Sequence, residues 1–347
     1  MRQITTALKS SKVATLLALS LVVVYAATEF GDHPSHRAYA SLSLKPAPTF
    51  IPGAVDSYKM ALLNIPTPLL RPNDLPAVEQ PYQITVVSLT NSLNSIAFDL
   101  DQIRRGHEVP RHFIQNMPTD ILDIENVTAR KNLFLSVTLP LILKVNEDIL
   151  KHRAKLKNFI AITADGTSLS IKQATWLNRL AKRYGGNAND FTGLLKRVDT
   201  IPVSLALAQS IEESGWGTSR FAREGNALFG QRAWSAGEGL VPHGRAEGEQ
   251  YEVKAFDALL QSIENYAVNL NSFGAYEDFR TKRARQRTEF GITNGYELTA
   301  TLTSYSERGT DYIEALQALI RVNNLGQFEE TKLSPERLAQ IFSSSNN

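Results

Sequence analysis

Cysteine is missing altogether, which removes disulfides as a source of stability. The chain of 347 residues must hold itself together through a hydrophobic core, and 43% hydrophobic residues suffice for one. Its six histidines are scattered, with no HExxH and no thiolate partner, so a zinc hydrolase has no ligand set and neither metal nor cofactor is expected. No GxSxG and no glycine-rich phosphate loop occurs. Charge of one sign is also lacking. Lys and Arg number 37 against 35 Asp and Glu, which leaves no basic field of the kind nucleic-acid binding rests on, and DNA and RNA drop out as partners. No internal repeat is present, and length alone allows one large domain or two ordinary ones.

What is there begins at the N-terminus. Arg2, Lys9 and Lys12 precede an uncharged apolar run at residues 13–27, the pattern of an export signal. The run is about 15 residues, short for a hydrocarbon core that needs roughly 20. Val24 and Ala26 place small side chains where a signal peptidase reads. Cleavage after Ala26 gives a soluble periplasmic protein, and retention of residues 13–27 gives inner-membrane association; both readings stand. A monomer is expected.

Eight of the fifteen prolines fall between Pro46 and Pro81, in a stretch without periodicity that reads as an extended spacer. From residue 86 the pattern turns helical: Leu89, Leu93, Ile96, Leu100 and Ile103 recur at spacings of three and four, one apolar stripe. A second helical block, 130–162, contains Pro140, where a kink or break is expected. A third helix spans 168–184 and closes on Gly185 and Gly186. Asp199 or Thr200 can cap the helix that follows Pro202 and ends near Glu213, with Gly215 supplying the C-cap. Residues 240–245 and 250–256 can pair as a hairpin across 246–249, and helices resume at about 259.

Chemistry concentrates in two short segments, Ala208-Gln-Ser-Ile-Glu-Glu-Ser-Gly-Trp-Gly217 and Asn226-Ala-Leu-Phe-Gly230. Adjacent helical residues diverge by about 100°, so Glu212 and Glu213 cannot both face one groove. The carboxyl end of a helix disfavours ionisation, and a neighbouring glutamate adds to that; both effects raise the pKa of an acid placed there. Gln209 and Glu213 share a stripe at i, i+4, and Trp216 offers a sugar-stacking platform or a core aromatic, as does Phe229. Five basic residues between Arg280 and Arg287 read as a solvated helix face or as a grip on anionic polymer.

Together the two segments resemble the family 73 glycoside hydrolases, the glucosaminidase domains of bacterial autolysins, and within them the Bax-type proteins. The resemblance covers about residues 165 to 325, and the block 130–153 also resembles the N-terminal part of Bax-type chains. It implies an α+β, mainly α fold: a lysozyme-like glucosaminidase domain with a small β-hairpin lobe, preceded by a helical N-terminal region. The implied division is 1–27 signal or anchor, 28–82 spacer, 83–163 helical region, 164–326 glucosaminidase domain and 327–347 tail.

The implied activity is cleavage of the β-1,4 bond after N-acetylglucosamine in the glycan strands of peptidoglycan. Glu213 is then the general acid, the protonated carboxyl that glycoside hydrolysis requires. Related enzymes carry a second carboxylate on the hairpin; Glu238, Glu247 and Glu249 lie in that neighbourhood, and Glu247 and Glu249 rank above Glu238. Ser304 to Tyr312 resembles the family's tyrosine pattern, so that Tyr305 matches the active-site tyrosine and Tyr312 one that supports the groove. Gln209, Trp216, Asn226, Phe229 and Tyr312 form the candidate substrate-binding set. Where no second carboxylate is in reach, the substrate's own acetamido group is the alternative nucleophile, positioned by Tyr305. A lytic transglycosylase and an inactive wall-binding protein are the competing readings.

Overall fold

The computed structural model describes residues 84–233, 237–243, 245 and 250–336. Two units divide the chain, residues 1–42 with 242–249 and residues 43–241 with 250–347, and the contacts described below lie within the second. The export segment, the spacer, Glu247 and Glu249 lie outside the described residues. No described helix is long and apolar enough to cross a membrane.

The first apolar stripe is carried by two helices rather than one. Helix α1 (Val86–Ser95) stops at a turn in which Ala97 has φ +51°, and Asp99 restarts the chain as N-cap of α2 (Leu100–Arg104), accepting from the amides of Asp101 and Gln102. Leu89, Leu93 and Ile103 are buried, whereas Ile96, at the break, is exposed.

Helix α3 (Val127–Ala164) runs through Pro140 as one element of 38 residues, without the expected break. Proline costs an interior helix one hydrogen bond. Here every residue from 133 to 143 is buried, and that packing offsets the loss. Next come α4 (Ile171–Arg183), opened by a Ser170–Gln173 capping box, and α5 (Phe191–Arg197), capped by Asp190.

Helix α6 (Val203–Ser214) is buried from Val203 to Ile211 and lies at the centre of the core. Its C-terminus ends as the glycine pattern requires, with Gly215 at φ +58°. Its N-terminus is capped from elsewhere. Neither Asp199 nor Thr200 caps it; the Glu329 carboxylate accepts from the amides of Val203 (3.1 Å) and Ser204 (3.2 Å) and from the Ser204 hydroxyl. Replacing Glu329 by alanine leaves two buried amides without an acceptor, and an expected loss of about 2 kcal/mol or more follows. Urea denaturation measures it; a loss below about 0.5 kcal/mol would show that the cap is dispensable.

After α7 (Arg220–Gly225) the chain forms a three-stranded antiparallel sheet, β1 (Arg232–Ala233), β2 (Gly239–Leu240) and β3 (Glu252–Lys254), in the order β1-β3-β2. Leu240 pairs with Val253, as a hairpin between these segments requires, and β1 adds a strand that no periodicity announced. Helices α8 (Leu259–Ser272), α9 (Glu277–Phe290), α10 (Gly295–Leu298) and α11 (Thr310–Val322) complete the unit. The result is mainly helical with one small sheet. Residues on both sides of position 163 belong to one hydrophobic core. The described end of the chain also returns to the N-terminal region: Val109 donates to Lys332 O (2.8 Å) and accepts from Ser334 N (2.9 Å).

Candidate active site

Glu213 stands in the last turn of α6, half-buried, with a cluster of tyrosines around it. Tyr312, from α11, donates its hydroxyl to Glu213 Oε1 at 2.8 Å. The Tyr305 ring stacks parallel to that of Tyr312, centroids 5.6 Å apart, and Tyr276 packs beside Tyr305 at 5.9 Å. Tyr266 of α8 stacks on Phe229 at 3.8 Å. Burial of these phenols pushes all four pKa values up, Tyr276 to about 12, so the hydroxyls are neutral donors at any physiological pH.

The Glu213 carboxyl is raised from 4.5 to about 7. Burial is the first cause, because the charged form loses water. The hydrogen bond from Tyr312 pulls the other way, the charge of Glu212 pushes up again, and Arg308 pulls down. A carboxyl in this range is protonated in a useful fraction near neutrality, as an acid catalyst must be.

Glu212 faces away, as the helical angle requires. It pairs with Arg308, whose guanidinium also lies 5.9 Å from the Tyr312 ring. The two glutamates therefore differ in partner: one is paired with arginine, the other is given a phenol.

The backbone beyond α6 is unusual. Gly215, Trp216 and Gly217 take positive φ in succession, 58°, 60° and 76°. For tryptophan this conformation is costly, and packing must enforce it. A Cβ at Gly217 would press on Phe134 and Met117 at 2.9–3.0 Å, which explains glycine there. Trp216 itself meets the edge of Phe134, and the Lys131 ammonium sits 4.8 Å over its ring. A sugar stacking on that face would have to displace Lys131.

Several candidate binding residues lie too deep to touch a sugar. Gln209 is fully buried, its amide engaged by Tyr266 and Tyr312. Tyr312 is buried and reaches the site through its hydroxyl alone. Asn226, at φ +51° after α7, ties Asn116 Oδ1 (2.9 Å) to Phe256 O (3.1 Å), a turn-ordering role. Phe229 is a core ring supporting Tyr266. Gly230, at φ +58°, brings backbone to the free side of the acid: a Cβ there would lie 3.5 Å from Glu213 Oε2. Tyr305 is half-buried.

Of the hairpin carboxylates, Glu238 is exposed. Glu252 is buried, its oxygens accepting from the amides of Gly237 (3.1 Å) and Gly239 (2.8 Å), so it braces the sheet. Arg308 and the tyrosines 266 and 276 had no assigned role in the sequence. Tyr266 sits in register with Ile263 and Leu270, where a phenol is indistinguishable from another core aromatic.

A family model described as mannosyl-glycoprotein endo-beta-N-acetylglucosaminidase, the glucosaminidase domain, matches residues 188–325, which contain α6, the sheet and the tyrosine cluster. Protein bax of Escherichia coli (strain K12) is 31% identical over 213 residues, 59% of this chain and 73% of that protein. The chain belongs to the Bax family of glucosaminidase-domain proteins. The crystal structure of the catalytic domain of the autolysin Auto from Listeria monocytogenes is 20% identical to this Bax-family chain, covering 50% of it and 96% of the Auto domain, with a TM-score of 0.27.

Proposed function

We propose that this Bax-family protein is an exported hydrolase that cleaves the β-1,4 bond after N-acetylglucosamine in peptidoglycan, with Glu213 as general acid. The observation that carries the reading is the half-buried Glu213 carboxyl, raised to about 7 and hydrogen-bonded on one oxygen by a phenol. Export to the periplasm is supported by the basic residues ahead of the apolar run at 13–27.

Protonation of the glycosidic oxygen lets its bond to the anomeric carbon break with the electron pair, and the positive charge that develops must be met from the other side of the ring. Glu212 is engaged by Arg308 and Glu252 by the sheet amides, which leaves two routes. One is a carboxylate of the hairpin, 247 or 249 ahead of 238; the other is the substrate's own acetamido oxygen, held in place by Tyr305. Glu247→Gln and Glu249→Gln abolish turnover on the first route and spare it on the second, where Tyr305→Phe lowers kcat by about 10- to 100-fold.

Mass spectrometry of digested peptidoglycan tests the assignment as a whole. Reducing-end N-acetylglucosamine is expected; an anhydro-muramic end would make the protein a transglycosylase.

A further inference from the structure

We propose that Gln209 is a positioning residue that decides which oxygen of Glu213 carries the acid proton. The inference rests on Glu213 being the general acid. Gln209 is completely buried, and both ends of its amide are engaged by phenols: Tyr266 donates to Oε1 at 2.7 Å, and Nε2 donates to the Tyr312 hydroxyl at 2.9 Å. An amide has one accepting end and one donating end. The phenol that gives its proton to Oε1 therefore turns Nε2 toward the other phenol. Tyr312, already accepting from Nε2, has one proton of its own to give, and the acceptor 2.8 Å away is Glu213 Oε1.

All three hydrogen bonds run one way, from Tyr266 to Gln209 to Tyr312 to Glu213. Oε1 is thereby an acceptor in the acid and in the carboxylate alike. The proton must sit on Oε2, the oxygen beside Gly230. When the acid acts, the Oε2–H bond breaks, the proton joins the glycosidic oxygen as that oxygen takes the pair of its bond to the anomeric carbon, and Oε2 keeps the negative charge. Tyr312 stabilises that charge through Oε1 without reorienting. In the absence of the amide, the Tyr312 oxygen is open to accept, and Glu213 can turn its proton inward on Oε1, away from the leaving group.

The titratable and charged groups that act on Glu213 are Glu212, its neighbour in the chain, Tyr266 of α8, Tyr276, Tyr305, Arg308 just ahead of α11, and Tyr312 within α11. None of them changes in Gln209→Met, so a shifted pH profile in that variant reports the amide.

The test measures kcat and KM against pH on purified glycan strands for the full-length wild type, Gln209→Met, Tyr312→Phe and their double variant. Gln209→Met should lower kcat about tenfold at unchanged KM and move the alkaline limb up by about one pH unit, the size of one hydrogen bond to a charged group. The double variant should be no worse than Tyr312→Phe, because the amide acts through that phenol. Tyr266→Phe keeps the ring stack on Phe229 and frees Oε1, so it should shift the same limb in the same direction by less; it carries the test where Gln209→Met does not fold. Wild-type alkaline limbs in the variants that fold, or losses in the double variant that multiply, would overturn the proposal. Unchanged turnover by Glu213→Gln sinks the parent reading instead; an inactive Glu213→Gln beside wild-type profiles for Gln209→Met and Tyr266→Phe sinks this inference alone.

Discussion

Glu213→Gln is expected to lose turnover and, at pH 8, to be more stable than the wild type. The amide cannot surrender a proton, so the loss is that of a general acid, about 10²- to 10⁴-fold. Its oxygen still accepts from Tyr312, so the hydrogen bond survives. The gain in stability follows from the cost of ionising a buried carboxyl. Glu213 titrates near 4.5 when unfolded and at about 7 when folded. A group raised in this way contributes stability that is fully present below pH 4.5 and is lost as the pH climbs through 7, because the folded state holds its proton more tightly than the unfolded chain does. Across that window the shift corresponds to about 3 kcal/mol. Glutamine does not titrate, so its advantage over the wild type should grow by that amount between pH 4 and pH 8, which thermal melts at the two pH values would show as several degrees. A constant difference would mean that Glu213 ionises in the fold as readily as in water. The two effects together are the signature of a site that gives up stability for chemistry.

Local chemistry was legible in the sequence; long-range partnership was not. The Ser-Gly-Trp-Gly segment marked the end of α6, and the helical angle alone required Glu212 and Glu213 to part, as they do toward Arg308 and Tyr312. Helix-end electrostatics in the sequence point to a raised pKa, but burial, which the sequence does not show, is its first cause. The cap of α6 comes from Glu329, more than a hundred residues downstream, and no local pattern encodes it. Pro140 misled for the same reason, since a propensity rule yields to complete burial. Gln209 fell on the correct stripe, but a stripe gives no depth. Its amide joins two tyrosines instead of facing a sugar, because α8 and α11 meet on it.

The basic run at 280–287 gives the largest departure and a second strong prediction. It is a solvated face only in part: Arg285 is exposed, whereas Arg280 and Arg283 are buried and Arg287 turns inward to Asp199. Arg283 is fully buried, donating to the carbonyls of Lys196 (2.9 Å), Asp199 (3.2 Å) and Thr200 (2.9 Å) and to Asn271 Oδ1 (2.7 Å). Burial lowers its pKa to about 10, with Asp199 opposing that shift. Asp199 is buried too and pairs with Arg287 at 2.8 Å. Asn271 holds Asp199 O, and Asn146 holds both Ile201 N and O, so the segment 199–201 is fixed by side chains rather than by regular structure. That segment sets where α6 begins. Arg283→Met should therefore cost about 3–5 kcal/mol, as its removal takes the guanidinium donor from the carbonyls of Lys196, Asp199 and Thr200 and from Asn271 Oδ1 in a buried site. Asp199→Asn should cost a similar amount, and the two together less than their sum, since each loosens what the other holds. Denaturant titration of the single and double variants decides it; additive losses below about 1 kcal/mol each would show the segment to be held by packing alone. A partial loss should also lower kcat, because displacing the start of α6 carries Glu213 away from Tyr312. The basic run would then serve catalysis from a distance, by keeping the helix of the acid in register.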